Sequence, residues 1–289
     1  MGAPVTAFAD RLQRHRARAI NVAFIAVAAA GAVGMMLPFM WMFAMSFRPP
    51  AEAYRMPPSF LPDRFDLQNY RAVFEASVPL LQMYWNSFKI AGLVTAGQLA
   101  TCTAAAFAFA RLRFPGRDAL FSVMLLGLMV PMQALVIPSY LGMAQLGLID
   151  SHWSLILLYL TSSFGVFLVR QFMLGQPREL EEAAKIDGAG YWTIFRHVSV
   201  PQLGPVLSAL GIITFTQTWN MYFQPLIFLE TWENMTLPIG LAYLRGFMGS
   251  GNLAVVMAAM SMVITPVLLV FLFAQRFIIS GLTMSGIKG

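Results

Sequence analysis

Six long apolar stretches constrain the fold of this 289-residue chain more than any other feature of its sequence. Each exceeds the roughly 20 mainly apolar residues that a helix needs to cross the hydrocarbon core of a bilayer. Charged residues make up only 11% of the chain, against roughly 25% in soluble proteins, so lipid must solvate much of the surface. We therefore predict an all-α membrane protein with six transmembrane helices. The predicted spans are Ile20–Phe47, Met83–Ala110, Ala119–Leu141, Trp153–Leu174, Gly204–Leu229 and Leu253–Ile279.

The predicted six-span transmembrane domain covers residues 20–279 and includes an outer loop (48–82) and an inner loop (175–203). A basic N-terminus (1–19) precedes this domain and a C-terminal tail (280–289) follows it. The arginines before the first span also suit a secretory signal, but the apolar region is longer than the roughly 7–15 residues of a signal peptide. We predict an uncleaved span, with cleavage near Ala28–Gly31 as the alternative.

The distribution of basic residues predicts the orientation of the chain. Cytoplasmic loops of membrane proteins carry an excess of Lys and Arg. With the N-terminus inside, the cytoplasmic segments hold thirteen basic residues and the outer loops hold five, which have acidic neighbours such as Glu52 and Asp63. Both termini are therefore predicted to be cytoplasmic.

Ionisable groups are nearly absent from the span interiors, which limits the possible functions. Ion-coupled carriers and membrane-embedded enzymes place such groups inside their spans. The nearest candidate is Lys89, which lies close to a span entrance and suits an anchor whose charge reaches the membrane surface. The single cysteine, Cys102, allows no internal disulfide, and the three scattered histidines provide no zinc ligand set. The net charge of +6 forms no long basic stripe, so nucleic acid is not an expected partner.

The inner loop between the fourth and fifth spans carries the most informative pattern. Its acidic residues favour a helix start, and Glu181 and Lys185 form an i,i+4 pair that supports the helix. Gly188 suits the C-terminal cap of that helix. The pattern predicts a helix that ends at Gly188, on the cytoplasmic side of the membrane.

A second short helix is predicted to follow, over residues 191–198. Small alanines before it, and the aromatic side chains of Trp192 and Phe195 within it, suit docking to a partner protein. The alternative is an amphipathic element that lies on the inner lipid surface.

The spacing of residues in this loop resembles a known motif. In order, with gaps of three, nine and one residues, it contains Glu182-Ala183-Ala184, Gly188, Val198 and Val200-Pro201. This spacing resembles the EAA loop of ABC-importer permeases, with valines in place of the usual Ile and Leu. Further features resemble the carbohydrate-uptake branch of that family, namely Asp187-Gly188-Ala189, Asn69-Tyr70, Trp219-Asn220, Pro225-Leu226 and Gly281-Leu282-Thr283. Over nearly its whole length, the chain is similar to the smaller six-span permease of maltose-type importers.

The resemblance implies a type I ABC importer permease fold, a place in the bacterial inner membrane and a division of labour. A second, different permease would complete the translocation path, two ATPase subunits would bind ATP and Mg, and an external solute-binding protein would deliver a sugar. The chain itself would hold no cofactor and hydrolyse no ATP. The tail Gly281–Gly289 would reach the ATPase dimer interface, and the outer segment Glu230–Asn252 would contact the binding protein. The expected ATPase-docking residues are Glu182, Ala183, Ala184, Asp187 and Gly188, together with Trp192 and Phe195.

Polar and aromatic residues in or near the spans are candidates for the solute path, because hydrogen bonds and aromatic faces bind sugars. They are Asn86, Gln133, Gln217, Trp219, Asn220, Tyr222 and Gln224. The alternative for each is hydrogen bonding between helices or a place in the aromatic belt at the membrane surface. For the whole chain, the alternatives to sugar import are an ABC permease for another solute and an ion-coupled secondary transporter.

Overall fold

The computed structural model describes residues 3–49, 52, 64–76, 78–246 and 252–285, with only the backbone described at 3–17, 19, 274 and 276–285. Every regular element in these ranges is helical. The α-helices are α1 (Ala3–Ser46), α2 (Gln68–Glu75), α3 (Leu80–Arg111), α4 (Arg117–Leu126), α5 (Val136–Gln145), α6 (His152–Leu158), α7 (Ser163–Leu174), α8 (Glu179–Ile186), α9 (Tyr191–Thr193), α10 (Val200–Gln202), α11 (Gly204–Trp219), α12 (Phe223–Phe228), α13 (Leu237–Arg245) and α14 (Leu253–Ser285). Two 3₁₀ turns, Gly127–Met129 and Met132–Leu135, separate α4 from α5, and a π-helical turn, Ile194–Ser199, joins α9 to α10.

Three unbroken helices in the described residues are long and apolar enough to cross a membrane, within α1, α3 and α14. Three bent pairs raise the number to as many as six if each pair is one span. The bends are 98° between α4 and α5, 40° between α6 and α7, and 77° where the segment Tyr191–Gln202 meets α11. The third and fourth predicted stretches are thus broken helices, and the fifth, Gly204–Leu229, is divided into α11 and α12, so the described residues give three to six candidate spans. The sixth helix also extends past its predicted end, through Ser285.

The chain forms two compact units, and the first comprises Met1–Ala72 with Asn252–Ser261. Within it, Asn69 Nδ2 donates to the carbonyl oxygens of Ser46 at 2.9 Å and Arg48 at 2.6 Å. Ser46 Oγ also lies 2.9 Å from Tyr70 Oη. These bonds occupy carbonyl groups at the end of α1, which have no partner inside the helix. The Asn69-Tyr70 pair therefore secures the outer loop to the end of α1.

The second unit comprises Val73–Gly251 with Met262–Gly289, and α3 lies at its centre, packed against α7 and α11. Gly165 on α7 permits this close approach, because a Cβ there would lie 2.8 Å from Cys102 Sγ on α3. The buried core cluster also includes Ile194 from the inner loop, so the loop is continuous with the packing of the helices. Its members are Cys102, Ala106, Phe107, Ala110, Val166, Val169, Met173, Ile194, Leu203, Val206 and Leu210.

Side chains from α3 donate hydrogen bonds to the backbone carbonyl groups that are left free at the break between α6 and α7. Gln98 Nε2 donates to Tyr159 O at 2.9 Å, and Thr101 Oγ1 donates to Leu160 O at 2.5 Å. Gln98 Oε1 also accepts from Thr214 Oγ1 on α11 at 3.0 Å. Broken helices at membrane depth persist only where neighbouring groups take the freed backbone bonds. This network explains how the fourth apolar stretch interrupts its helix without a proline at the break.

Candidate functional site

The inner loop folds into two helical segments, and the first is α8. Three of its first four residues are acidic and Lys185 lies in its last turn, an arrangement that complements the helix dipole. The predicted pair of Glu181 with Lys185 does not form. Instead, Lys185 Nζ lies 5.7 Å from the centre of the Tyr191 ring, and Glu181 turns toward the core.

Gly188 ends α8, as the sequence predicts, and it has a left-handed φ of +83°. Its N–H donates to Lys185 O at 3.1 Å, and the N–H of Ala189 donates to Ala184 O at 2.9 Å. These two bonds form the Schellman motif that reverses the chain after a helix. The turn directs the chain into the second segment.

The second segment runs from Tyr191 to Gln202, longer than the predicted 191–198, and contains the π-helical turn Ile194–Ser199. Pro201 lies just after that turn and has no N–H to donate to the preceding turn. Widened turns of this kind are frequent at functional sites. Phe195 packs on Phe107 of α3, with ring centres 5.1 Å apart, and fixes the segment to the core.

An ion pair attaches α8 to the end of α3. Arg111 Nε lies 2.7 Å from Glu181 Oε2, with the two side chains only 6% and 13% exposed. Ser199 Oγ donates to Glu181 Oε1 at 2.9 Å, and an Arg111 Nη2 contact reaches Gln176 O at 3.4 Å. One carboxylate therefore joins α3, α8 and the π-helical turn. The sequence pattern does not reveal Arg111 and Ser199 as partners of Glu181, because they lie 70 and 18 residues from it along the chain.

The predicted docking residues divide between an exposed surface and the core. Ala184 and Phe195 are half-buried against the core cluster. The others are exposed, and the apolar side chains of Leu180 and Ile186 on α8 are exposed beside them. We name this exposed set the loop surface; it comprises Leu180, Glu182, Ala183, Ile186, Asp187, Gly188, Tyr191 and Trp192. An exposed apolar patch with polar residues around it is typical of an interaction site.

On the predicted outer side, Asp150 holds the turn after α12. Its carboxylate accepts hydrogen bonds from Glu230 N at 2.8 Å, Thr231 N at 3.0 Å and Thr231 Oγ1 at 2.8 Å. Burial raises the pKa of the Asp150 carboxyl, but the bonds from Thr231 and Glu230 outweigh burial, so the pKa lies below its ordinary value. Asp150 is the one described non-glycine residue with a positive φ, +55°.

Asn86, a predicted solute-path residue, also holds this outer turn. Its Nδ2 donates to Glu233 O at 2.7 Å and to Met235 O at 2.9 Å, and the side chain is buried. His152 Nε2 lies 2.9 Å from Asn234 O. The segment between α12 and α13 is therefore fixed by side chains from α3 and α6. Residues 247–251 of the predicted binding-protein segment lie outside the described residues.

The other predicted solute-path residues do not form one site. Trp219 is 1% exposed, and its Nε1 donates to Val263 O at 3.1 Å, so its polar group is already used. Asn220 Nδ2 donates to Thr216 O within its own turn. Gln133, Gln217 and Tyr222 are exposed at separate positions. Gln224 is half-buried, and it alone of the seven lines the cavity formed between α5, α6 and α12.

A family model and individual relatives both match this chain to components of transport systems. Residues 100–283 match the family described as binding-protein-dependent transport system inner membrane component. The arabinooligosaccharide transport system permease protein AraQ of Halalkalibacterium halodurans is 34% identical over 272 residues, which cover 93% of this chain and 95% of that protein. The lactose transport system permease protein LacG of Rhizobium radiobacter is 33% identical over 268 residues, which cover 92% and 96%.

A solved structure of similar fold is a bacterial ABC transporter involved in the import of the acidic polysaccharide alginate. One of its chains superposes with a TM-score of 0.79 at 23% identity, covering 90% of this chain and 96% of that chain. The two chains therefore share one fold.

Proposed function

The chain belongs to the family of binding-protein-dependent transport system inner membrane components, and we propose that it is a permease subunit of an ATP-driven importer for a sugar or sugar derivative. It is an inner-membrane transport component rather than a catalytic subunit. The sugar assignment is supported by relatives that are named for arabinooligosaccharide and lactose transport and that match over more than nine-tenths of this chain.

The observation that carries the proposal is the construction of the inner loop. Its loop surface is exposed, whereas its base is held by a buried ion pair to α3 and by Phe195 on Phe107. A partner that moves α8 therefore also moves the end of α3. This is the mechanical property that a coupling loop needs.

Two ATPase subunits are the proposed partners of the loop surface, and they bind ATP and Mg. ATP favours their closed dimer, and docking of α8 lets that closure bias the permease toward its outward-facing state. The bias is no larger than the difference in contact energy between the two states, so a firmly anchored loop is required. A second, different permease completes the path, and an external solute-binding protein delivers the sugar.

The proposed topology has six membrane crossings with both termini in the cytoplasm. Three long helices, the bent pairs α4–α5 and α6–α7, and α11, which follows the inner loop, are compatible with six crossings. The excess of basic residues in the inner segments supports this orientation. It places the inner loop on the ATPase side and the turn held by Asp150 on the side of the binding protein.

Site-specific cross-linking tests the proposal. Cys102 is buried and is the only cysteine, so a Cys102→Ala background allows one new thiol to be introduced. In the complete importer, Ala183→Cys on the loop surface should cross-link to an ATPase subunit through a reagent that joins a maleimide, for this thiol, to a succinimidyl ester, for a lysine of the ATPase. Ala144→Cys, exposed near the end of α5, is the matched control and should give no such product. Reaction of the thiol at position 183 with a photoreactive lipid, without an ATPase product, contradicts the proposal.

A further inference from the structure

A cavity of about 150 Å³ lies in the second unit, where three interrupted helical segments meet. Its walls come from the 3₁₀ turn before α5, from α5 itself, from the end of α6 and from α12. Its eight lining residues include Met132, Ser139, Leu158, Tyr159, Gln224 and Phe228. The volume exceeds what a single water molecule needs.

Three polar side chains in this wall have unused hydrogen-bonding capacity. Within the part of the chain that the structure describes, Ser139, Tyr159 and Gln224 make no side-chain hydrogen bond. Together they offer hydroxyl, phenol and amide groups, which include both donors and acceptors. All three are half-buried, and polar groups removed from water are costly unless another polar group meets them. This contrasts with Asn86 and Trp219, whose polar atoms are occupied within the chain.

The backbone around the cavity also indicates a polar passage. The α6–α7 break begins at Tyr159, and the α4–α5 bend precedes Met132. Irregular backbone at membrane depth is tolerated where it is buried in protein or lines a water-filled cavity. In many secondary transporters, binding sites are formed by such discontinuous helices.

The remaining wall is aromatic and apolar. Phe228 is one of the lining residues and is fully buried, with its ring 5.7 Å from that of Tyr140. Tyr159 adds a second aromatic ring to the wall itself. A few polar groups among aromatic and aliphatic ones is the composition of a site that fixes the orientation of a small ligand. A sugar ring matches it, because it presents hydroxyl groups at its edge and C–H groups on its faces.

We propose that this cavity is a subsite of the translocation path that holds one sugar ring between Ser139, Tyr159 and Gln224. The inference rests on the proposed function, sugar import. In the proposed orientation, Ser139 and Gln224 lie near the outer ends of the third and fifth stretches. The subsite then receives the solute in the outer half of the membrane, below the turn held by Asp150.

Thiol protection in the complete importer tests the subsite. In a Cys102→Ala background, Ser139→Cys places a thiol in the cavity, and a charged, membrane-impermeant methanethiosulfonate reports its accessibility. Arabinotriose and lactose are the probes, each supplied with the binding protein and ATP. A bound sugar should slow labelling about tenfold when its concentration is about ten times its Kd. Ser208→Cys is the control, since Ser208 Oγ bonds to Gly204 O on α11 away from this cavity, and its labelling should not respond to sugar.

A second variant keeps the proposal testable if the new thiol disturbs the cavity. Combined Tyr159→Phe and Gln224→Leu removes two hydrogen-bonding groups at nearly constant volume and should lower sugar uptake about tenfold. Its ATPase subunits should remain bound at the level of the unmodified importer. Sugar uptake that is unchanged in this variant, with no protection at position 139, overturns the subsite and leaves sugar import standing. No uptake of any sugar by the intact importer, in a screen that includes these two, overturns both.

Discussion

Arg111 Nε lies 2.7 Å from Glu181 Oε2, so the last residue of α3 is paired with the third residue of α8. Both side chains are almost fully buried, and Ser199 donates a further hydrogen bond to the same carboxylate. Removing one member of a buried pair leaves the other charge uncompensated in a poorly solvated place. The pair therefore fixes the inner loop to a transmembrane helix, and a displacement of α8 is passed to α3.

We expect Arg111→Gln and Glu181→Gln each to destabilise the protein by about 3 kcal/mol, because each leaves a buried charge without its partner. Thermal unfolding of the detergent-solubilised importer measures this loss. Arg117→Gln is the matched control, since Arg117 pairs with the well-exposed Asp118 and surface pairs contribute little. Equal unfolding temperatures for all three variants would contradict the structural role of the Arg111–Glu181 pair.

The second prediction concerns substitution of Gly188, whose effect should depend on backbone conformation alone. A Cβ at this position meets no atom within 4 Å, so the penalty for Gly188→Ala comes from its φ of +83°. That conformation costs an L-residue roughly 1–2 kcal/mol. We expect lower sugar-stimulated ATPase activity and slower uptake in Gly188→Ala, and a smaller loss in Gly188→Asn, because Asn tolerates this conformation.

The control for this experiment is two residues away. Gly190 also has open space where a Cβ would lie, but its φ is −71°, which any residue adopts. Gly190→Ala should therefore leave ATPase activity and uptake at the level of the unmodified importer. A loss as large as that in Gly188→Ala would show that side-chain size, rather than backbone conformation, is responsible.

How much of this structure the sequence predicts depends on how far apart along the chain the interacting residues lie. α8 and its end at Gly188 are encoded locally, by acidic residues at the start and a glycine at the cap, and both predictions are confirmed. The partner of Glu181 is not encoded locally, because Arg111 lies 70 residues earlier. The break at Tyr159 has no proline to signal it and depends on Gln98.

The predicted solute-path residues do not lie together in one site, and the reason is related. A polar side chain in an apolar stretch signals that it needs a partner, but not whether that partner is a ligand or the chain itself. For Asn86 and Trp219 the partners are backbone carbonyl groups of the same chain. Gln224 carried the same signal and has no such partner in the described residues. Only the three-dimensional structure separates these two cases.

Reversal of the charge at Glu182 should separate an effect on ATPase docking from an effect on membrane insertion. Its side chain is exposed on α8 and forms no hydrogen bond or ion pair with the described residues, so its carboxylate is available to a cationic group of a partner. Glu182→Lys should abolish sugar uptake while the variant inserts and is produced normally, as measured by transport assay and by membrane fractionation. Glu179→Lys, an exposed residue at the start of the same helix, is the control for a change of charge alone. Normal uptake by a well-produced Glu182→Lys variant would count against ATPase docking at this residue.

The last prediction is that the stability of the outer turn held by Asp150 depends on pH. Because its pKa is lowered in the folded chain, its stabilisation is complete above about pH 4, the ordinary range of a carboxyl group, and is lost as the pH falls further. Hydrogen exchange of residues 229–236, corrected for the intrinsic effect of pH, should be constant between pH 6 and about pH 4 and should show this loss as the pH falls to about 3. Asp150→Asn keeps a residue that tolerates the φ of +55°, but it cannot ionise. It should exchange faster at pH 6 and lose most of the pH dependence, whereas Asp118→Asn should leave the exchange of this segment unchanged. Identical pH profiles for Asp150→Asn and the unmodified chain would mean that another group controls the turn.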